Sequence, residues 1–257
     1  AITNDEKYLR QAEISVAGLR RHNSTIPIYF FIFGSFPKKR LTLLKSLNVQ
    51  IRMRPSIGKM YPYLTKWIAL DEVTEDRVLF LDADVVVYGN VQNLFDRYYK
   101  KDFYARLENG CKKRAYWVGQ HKMRVQIDHK ALAYIYKKTG RAEVPVFNAG
   151  VMMFNQPQAK RIKFRELKKH YDRLVSGYWP YPSTNPFIRG ELALSIYLSE
   201  KKSTSYGFMS MAMAPYFLDL MEKAVKKPGV VVHVLSGRFE DYLKSPEYRK
   251  LLQCQTV

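Results

Sequence analysis

Apolar positions recur at helical spacing between Tyr8 and Leu19, where Leu9, Ala12, Val16 and Leu19 fall on one face. The unbroken apolar run Ile28-Tyr29-Phe30-Phe31-Ile32-Phe33 follows and is closed by Gly34, which predicts a strand buried on both faces. The order repeats. A Lys- and Leu-rich helix opens near Pro37 and leads to a short strand at Val49-Gln50-Ile51, and a helix from Thr65 to Val73 leads to Val78-Leu79-Phe80-Leu81. Helices alternating with buried strands predict an α/β fold of Rossmann type, with a mostly parallel central sheet flanked by helices. Ligands of such sheets bind where loops leave the carboxyl ends of the strands.

Beyond Gly89 the pattern is mixed. Cys111 to Arg124 is basic, aromatic and glycine-bearing and reads as an irregular excursion. Phe147 to Asn155 returns to an apolar strand, and Gln158 to Val175 reads as an exposed basic helix. Gly177 to Pro186 holds three prolines and is expected to lack regular structure. A helix over Glu191 to Leu198 and a last buried strand at Val230-Val231-Val232-His233-Val234 complete the reading. No repeat and no Gly-, Ser- or Pro-rich linker divides the chain, so a single domain over 1–257 is expected, with a nucleotide-binding half at about 1–100 and an acceptor-side half at about 101–257.

The chemistry-bearing motif follows the third predicted strand. Four apolar residues run into Asp82-Ala83-Asp84 and then into Val85-Val86-Val87. In an extended chain alternate side chains share a face, so Asp82 and Asp84 are expected to point the same way with Ala83 tucked behind. Ionised carboxylates beside a core need a partner, and a hard divalent cation, completed by water and phosphate oxygens, supplies one.

Composition narrows the partners. The chain has 257 residues, 47% of them hydrophobic, enough for a sizeable core. Lys and Arg number 43 against 23 Asp and Glu, a formal charge of +20, which draws anions: phosphates, acidic glycans or lipid headgroups. The clusters Lys38-Lys39-Arg40, Lys112-Lys113-Arg114 and Lys168-Lys169 are scattered and not interleaved with aromatic residues, so nucleic acid is not the expected partner. A nucleotidyltransferase would need a glycine-rich loop after its first strand, but Gly18 is the only glycine between Thr3 and Leu19. Cys111 and Cys254 have no metal-ligand spacing, and with no signal peptide or membrane-length apolar run a cytoplasmic location is expected.

Several blocks together resemble the glycogenin-like family of retaining nucleotide-sugar glycosyltransferases, which includes galactinol synthases and bacterial lipopolysaccharide transferases. They are Thr3-Asn4-Asp5 with Tyr8; Thr65-Lys66-Trp67 with Leu70; Val78 to Asp84 followed by Gly89-Asn90 and Leu94-Phe95; Phe147-Asn148-Ala149-Gly150-Val151 with Phe154-Asn155; Gly190-Glu191 to Leu194-Ser195; and Val231-Val232-His233 with Gly237. The resemblance spans nearly the whole chain and implies a fold of the GT-A type. It implies a metal-dependent transfer of a hexose, from uridine diphosphate glucose or galactose, to an acceptor hydroxyl with retention of configuration. The acceptor is a carbohydrate, glycolipid or protein, with an acidic acceptor or peripheral contact with an anionic membrane in keeping with the charge.

Carried over residue by residue, the resemblance makes Asp82, Asp84 and His233 ligands of manganese, with magnesium the alternative. Thr3, Asn4, Asp5 and Tyr8 would cradle the nucleoside, and Ala83 would lie along the donor. Lys66 would reach a phosphate or the sugar. Asn148 would face the sugar or acceptor, with Gly150 admitting close backbone approach. Gly237 and Arg238 would meet the diphosphate, Arg238 replacing a lysine that the family carries a few residues later. The family's Asp-Gln pair is here Gly190-Glu191, which leaves three roles open for Glu191: contact with sugar hydroxyls, assistance at the anomeric carbon, or an N-terminal helix cap.

Overall fold

The computed structural model describes residues 2–3, 5–56, 64–107, 115–117, 143–145, 147–175, 186–201, 203–221 and 229–253. In chain order the first half contains β1 (Ile2–Thr3), α1 (Glu6–His22), β2 (Tyr29–Phe33), α2 (Thr42–Ser46), β3 (Gln50–Arg54), α3 (Thr65–Asp71), β4 (Val78–Leu81), β5 (Val85–Val87) and α4 (Gln92–Arg97). The second contains β6 (Phe103–Leu107), β7 (Ala115–Trp117), β8 (Glu143–Pro145), β9 (Phe147–Phe154), α5 (Phe164–Val175), α6 (Pro186–Glu200), β10 (Tyr206–Met209), α7 (Phe217–Met221), β11 (Val231–His233), α8 (Phe239–Lys244) and α9 (Pro246–Gln253). They gather into two compact units. One comprises Ala1–Thr65, Leu79–Tyr99 and Met209–Val257, and the other Lys66–Val78 and Lys100–Phe208. The chain therefore returns to its first unit at the end, which brings β11 to residues encoded early.

In the first unit β2 lies between β1 and β3, parallel to both, with Ile2 opposite Ile32 and Tyr29 opposite Gln50. Phe30, Phe31, Ile32 and Phe33 are all buried, the two-faced burial that their unbroken apolar run predicts. Gly34 ends the strand at φ 124°, a conformation that a side chain would strain. Helix α1 covers one face with Leu9, Ala12 and Val16, packed with Ile32, Leu41 and Leu44. Asp5 caps its start, accepting the Lys7 N–H at 2.8 Å. Arg20 near its end donates to the carbonyls of Ile26, Leu47 and Asn48 at 2.6–2.7 Å, tying the loops before β2 and β3 to the helix.

The second part of this unit pairs β5 with β11, antiparallel, with His233 opposite Val85 and Val231 opposite Val87. All three β5 valines are fully buried. Helix α1 crosses β5 so closely that a β-carbon at Gly18 would sit 2.6 Å from the Val87 carbonyl oxygen. The Tyr88 and Tyr242 hydroxyls, 2.7 Å apart, join the end of β5 to α8.

The second unit is built on antiparallel β6 and β9, with β10 on the far side of β6. Phe103, Phe147 and Phe154 meet with ring centroids 5.1–5.3 Å apart, and Trp67 of α3 stands edge-on to Phe154 at 6.0 Å. Helices α5 and α6 pack on one another, and β7 pairs with β8 antiparallel. Buried Arg161 donates to the Val73 and Gln156 carbonyls, both at 2.9 Å. Among the described residues no helix is long and apolar enough to cross a membrane.

The fold is the expected α/β arrangement with helices flanking sheet. Pairing is parallel among β1–β3, the stretch in which helix and strand alternate, and antiparallel in the β5–β11, β6–β9 and β7–β8 pairs. Two local expectations are corrected. The predicted helix from Gln158 begins as a 3-10 turn at Gln158–Lys160 and becomes α-helical only at Phe164. Helix α6 starts at Pro186 rather than Glu191; proline with its fixed φ suits the first helical position. Most of Cys111 to Arg124, residues 177–185 and Cys254 lie outside the described residues.

The Gly18 contact gives a stability test. Gly18→Ala should destabilise the protein by about 1–3 kcal/mol through overpacking, although alanine is the better helix former by about 1 kcal/mol. Thermal and urea denaturation should show the loss, because the obstacle is backbone that cannot swing aside.

Candidate metal and donor site

The acidic motif is placed by a turn. After β4 the chain reverses at Asp82–Val85, with the Val85 N–H donating to the Asp82 carbonyl at 3.1 Å. The expectation of an extended Asp-Ala-Asp segment is thus corrected. The two carboxylates share one side because a turn gathers them, and Ala83 does tuck away, packed against the core beneath α1 and β2. Directly across, the Val234 N–H donates to the Asp84 carbonyl at 3.0 Å, and His233 is registered with Val85. Strand β11 therefore delivers an imidazole to the carboxylates from about 150 residues further along the chain.

The His233 Nε2 lies 3.2 Å from Asp84 Oδ1, with side-chain exposures of 5% and 13%. One ligand atom from each of Asp82, Asp84 and His233 falls within 4.8 Å of the others. Metal–oxygen bonds of about 2.0–2.6 Å place ligands on opposite sides of an ion about 4–5 Å apart, so the three fit a common divalent cation. Two carboxylate oxygens and one imidazole nitrogen suit manganese better than calcium, which takes oxygen throughout. Behind His233, Tyr216 stacks at 5.4 Å and 24°, and the Pro215 carbonyl accepts the His233 N–H at 3.0 Å. Ring and backbone are both fixed. Sequence reading missed Tyr216, since nothing in Pro215-Tyr216-Phe217 marks it apart from other apolar runs.

Around this cluster the expected donor residues divide. The Tyr8 phenol is held above its ordinary pKa, first by burial and then by the negative charges of Asp5, Asp84 and Asp82. Its ring therefore lies in the field of the same carboxylates, and its hydroxyl keeps its proton at neutral pH. Thr3 ends β1 opposite Phe33, Asp5 serves as the cap of α1, and Asn4 lies outside the described residues. Leu235 takes φ 65°, an unusual conformation for a side chain of its size, and turns the chain from β11 into the 3-10 segment Ser236–Arg238. A β-carbon on Gly237 would meet nothing within 4 Å, so open space adjoins that backbone. Arg238 is exposed and pairs with Asp241 at 3.1 Å.

The second unit brings together Lys66, Asn148, Gly150 and Glu191. Lys66 Nζ donates to the Ala149 carbonyl at 3.0 Å, and the Ala149 N–H donates to Glu191 Oε1 at 2.9 Å. Asn148 is buried, and its Oδ1 accepts the Gly150 N–H at 3.0 Å. Because α6 begins at Pro186, Glu191 stands inside the helix, which removes the N-terminal cap from its three readings.

Comparison with known proteins bears on the family and the fold. The family model described as glycosyl transferase family 8 matches residues 1–188. Glycosyltransferase GlyE of Streptococcus pneumoniae is 30% identical over 111 residues, 36% of this chain. That match spans 27% of the pneumococcal protein, about a quarter of its length. A crystal structure of a galactosyltransferase, LgtC, in complex with donor and acceptor sugar analogues superposes with a TM-score of 0.57. It covers 91% of this chain and 86% of that one at 14% identity. Mouse xyloside xylosyltransferase 1 gives a TM-score of 0.52 over 92% of this chain and 96% of its own at 10% identity. At these identities the superpositions speak for the fold, which is of the GT-A type.

If the triad holds a cation, titration calorimetry with manganese should give one site. Asp84→Asn and His233→Ala should each weaken it by about 10–100-fold or more, since removing a ligand costs at least as much as removing a ligand's support. Undiminished binding by both variants would place the ion elsewhere.

Proposed function

The chain belongs to glycosyl transferase family 8, and from that premise we propose that it moves a hexose from a nucleoside diphosphate sugar to an acceptor hydroxyl with retention of configuration. The observation that carries the reading is the convergence of Asp82, Asp84 and His233 on one point. Bound there, manganese or magnesium would act as a Lewis acid on the diphosphate and stabilise the charge that develops as the sugar departs.

The protein's own groups account for the rest. His233 must be neutral to ligate; its stack on Tyr216 restrains the imidazole plane, and the Pro215 carbonyl holds its backbone. The Tyr8 hydroxyl, kept protonated by burial and by the carboxylates, serves the nucleoside as a hydrogen-bond donor. The open space beside Gly237 suits close approach of the diphosphate to backbone, and Arg238 supplies a nearby positive charge. Asn148 is assigned to the sugar. In the transfer the anomeric carbon–phosphate oxygen bond breaks and a bond to the acceptor oxygen forms on the same face. The acceptor proton passes to the departing phosphate oxygen, so no carboxylate nucleophile is required.

The donor is taken to be uridine diphosphate glucose or galactose. The acceptor is a carbohydrate, glycolipid or protein. An excess of 20 positive charges favours an acidic acceptor or a site at an anionic surface.

Incubation with a panel of nucleoside diphosphate sugars, with and without manganese, followed by mass spectrometry, should reveal metal-dependent loss of sugar from one donor class. Asp84→Ala should lower turnover by at least about 100-fold, equivalent to roughly 2.7 kcal/mol of lost stabilisation. Equal turnover by wild type and variant would remove the metal from the reaction.

A further inference from the structure

Strand β9 departs from its partner at one place. Its register against β6 runs Phe103–Phe154, Tyr104–Met153, Ala105–Met152 and then jumps to Arg106–Asn148. Ala149, Gly150 and Val151 therefore have no opposite residue on β6, although all three are buried. Buried peptide groups that lose a ladder partner need another, and here side chains provide them. Glu191 takes the Ala149 N–H at 2.9 Å, Lys66 gives to the Ala149 carbonyl at 3.0 Å, and Asn148 takes the Gly150 N–H at 3.0 Å.

An acid and a base thus grip the two polar groups of a single residue. Charge-assisted bonds of this kind are shorter and stronger than neutral ones, and β-bulges commonly re-aim a neighbouring side chain. The neighbour is Asn148, whose Oδ1 is committed to Gly150 and whose rotamer depends on the bulge being held in shape. We infer that Glu191, through the Ala149 amide, is a positioning residue that fixes the Asn148 bulge, rather than a nucleophile at the anomeric carbon. This rests on the family-8 reading for its role in transfer, while the clamp itself stands on the hydrogen bonds. Glutamine can accept the same N–H through its amide oxygen but cannot attack carbon as a carboxylate does, so the two roles separate experimentally.

The test compares wild type, Glu191→Gln and Glu191→Ala by donor and acceptor kinetics, thermal denaturation, and hydrogen exchange of an isotope-labelled Ala149 amide. In Glu191→Ala the Ala149 amide should lose protection. Its kcat should fall about 30-fold, in the range that misplacement of a reacting group costs, while KM for the donor stays within about threefold. Glu191→Gln should keep the amide protected and hold kcat within about threefold to fivefold of wild type. The inference is overturned if Glu191→Gln loses as much turnover as Glu191→Ala with Ala149 still protected, because the carboxylate itself would then be required. It is equally overturned if Glu191→Ala leaves the amide protection unchanged, or lowers only the melting temperature while kcat stands. Failure of the family reading looks different: wild type consumes no donor, and the exchange data still report on the clamp.

Discussion

Two carboxylates placed side by side at the rim of a hydrophobic core repel one another, and the local architecture of the first unit is arranged around that constraint. The turn at Asp82–Val85 gathers the acids, and the backbone bond from Val234 to the Asp84 carbonyl locks β11 against that turn. An imidazole then stands 3.2 Å from Asp84. Neither element would hold the arrangement alone. The β5–β11 pair is three residues long on each strand, and short pairs depend on packing for their stability. That packing comes from Val86, Val232, Val234, Phe217, Phe239 and Tyr242 in one cluster. The close crossing of Gly18 over Val87 then ties the pair to α1.

The same logic operates in the second unit with the signs reversed. There a stretch of β9 has no opposite residue on β6, and charged side chains complete its backbone groups. Lys66 and Glu191 both looked like reagents because they are charged and because the family places polar residues there. Their hydrogen bonds to the C=O and N–H of one residue give them an architectural task as well. A charged residue near chemistry need not act on the substrate; it can instead decide where an uncharged neighbour points.

Much of this was legible in the sequence, for identifiable reasons. Continuous apolar runs are strands at β2, β4 and β9 as expected, and the two-faced burial expected of β2 is observed, whereas in β4 only Phe80 is buried. The acidic pair stood out against its apolar flanks, and the order of motifs led to the family. Turn geometry was not legible: Asp82-Ala83-Asp84 carries neither glycine nor proline, so alternation along a strand was the natural expectation and a reverse turn the outcome. The start of α6 is not legible because a proline can either break a helix or open one, and Pro186 opens one. Tyr216 was hidden because stacking on a histidine is a matter of tertiary placement. The Ala149 clamp was hidden because a bulge is a relation between two strands, and either strand read singly looks regular.

What distinguishes the two sets of residues is how each depends on distance along the chain. The cluster of Asp82, Asp84 and His233 spans most of the sequence, so it exists only when β11 has returned to β5. The clamp joins Lys66, Ala149 and Glu191, also far apart, through backbone groups that would otherwise lie buried and unsatisfied. Loss of the clamp leaves a buried amide without its acceptor, at a cost of about 1–3 kcal/mol. Substitutions in the two sets therefore act on different things: one set alters the acidic cluster at the turn, while the other loosens the strand that carries Asn148.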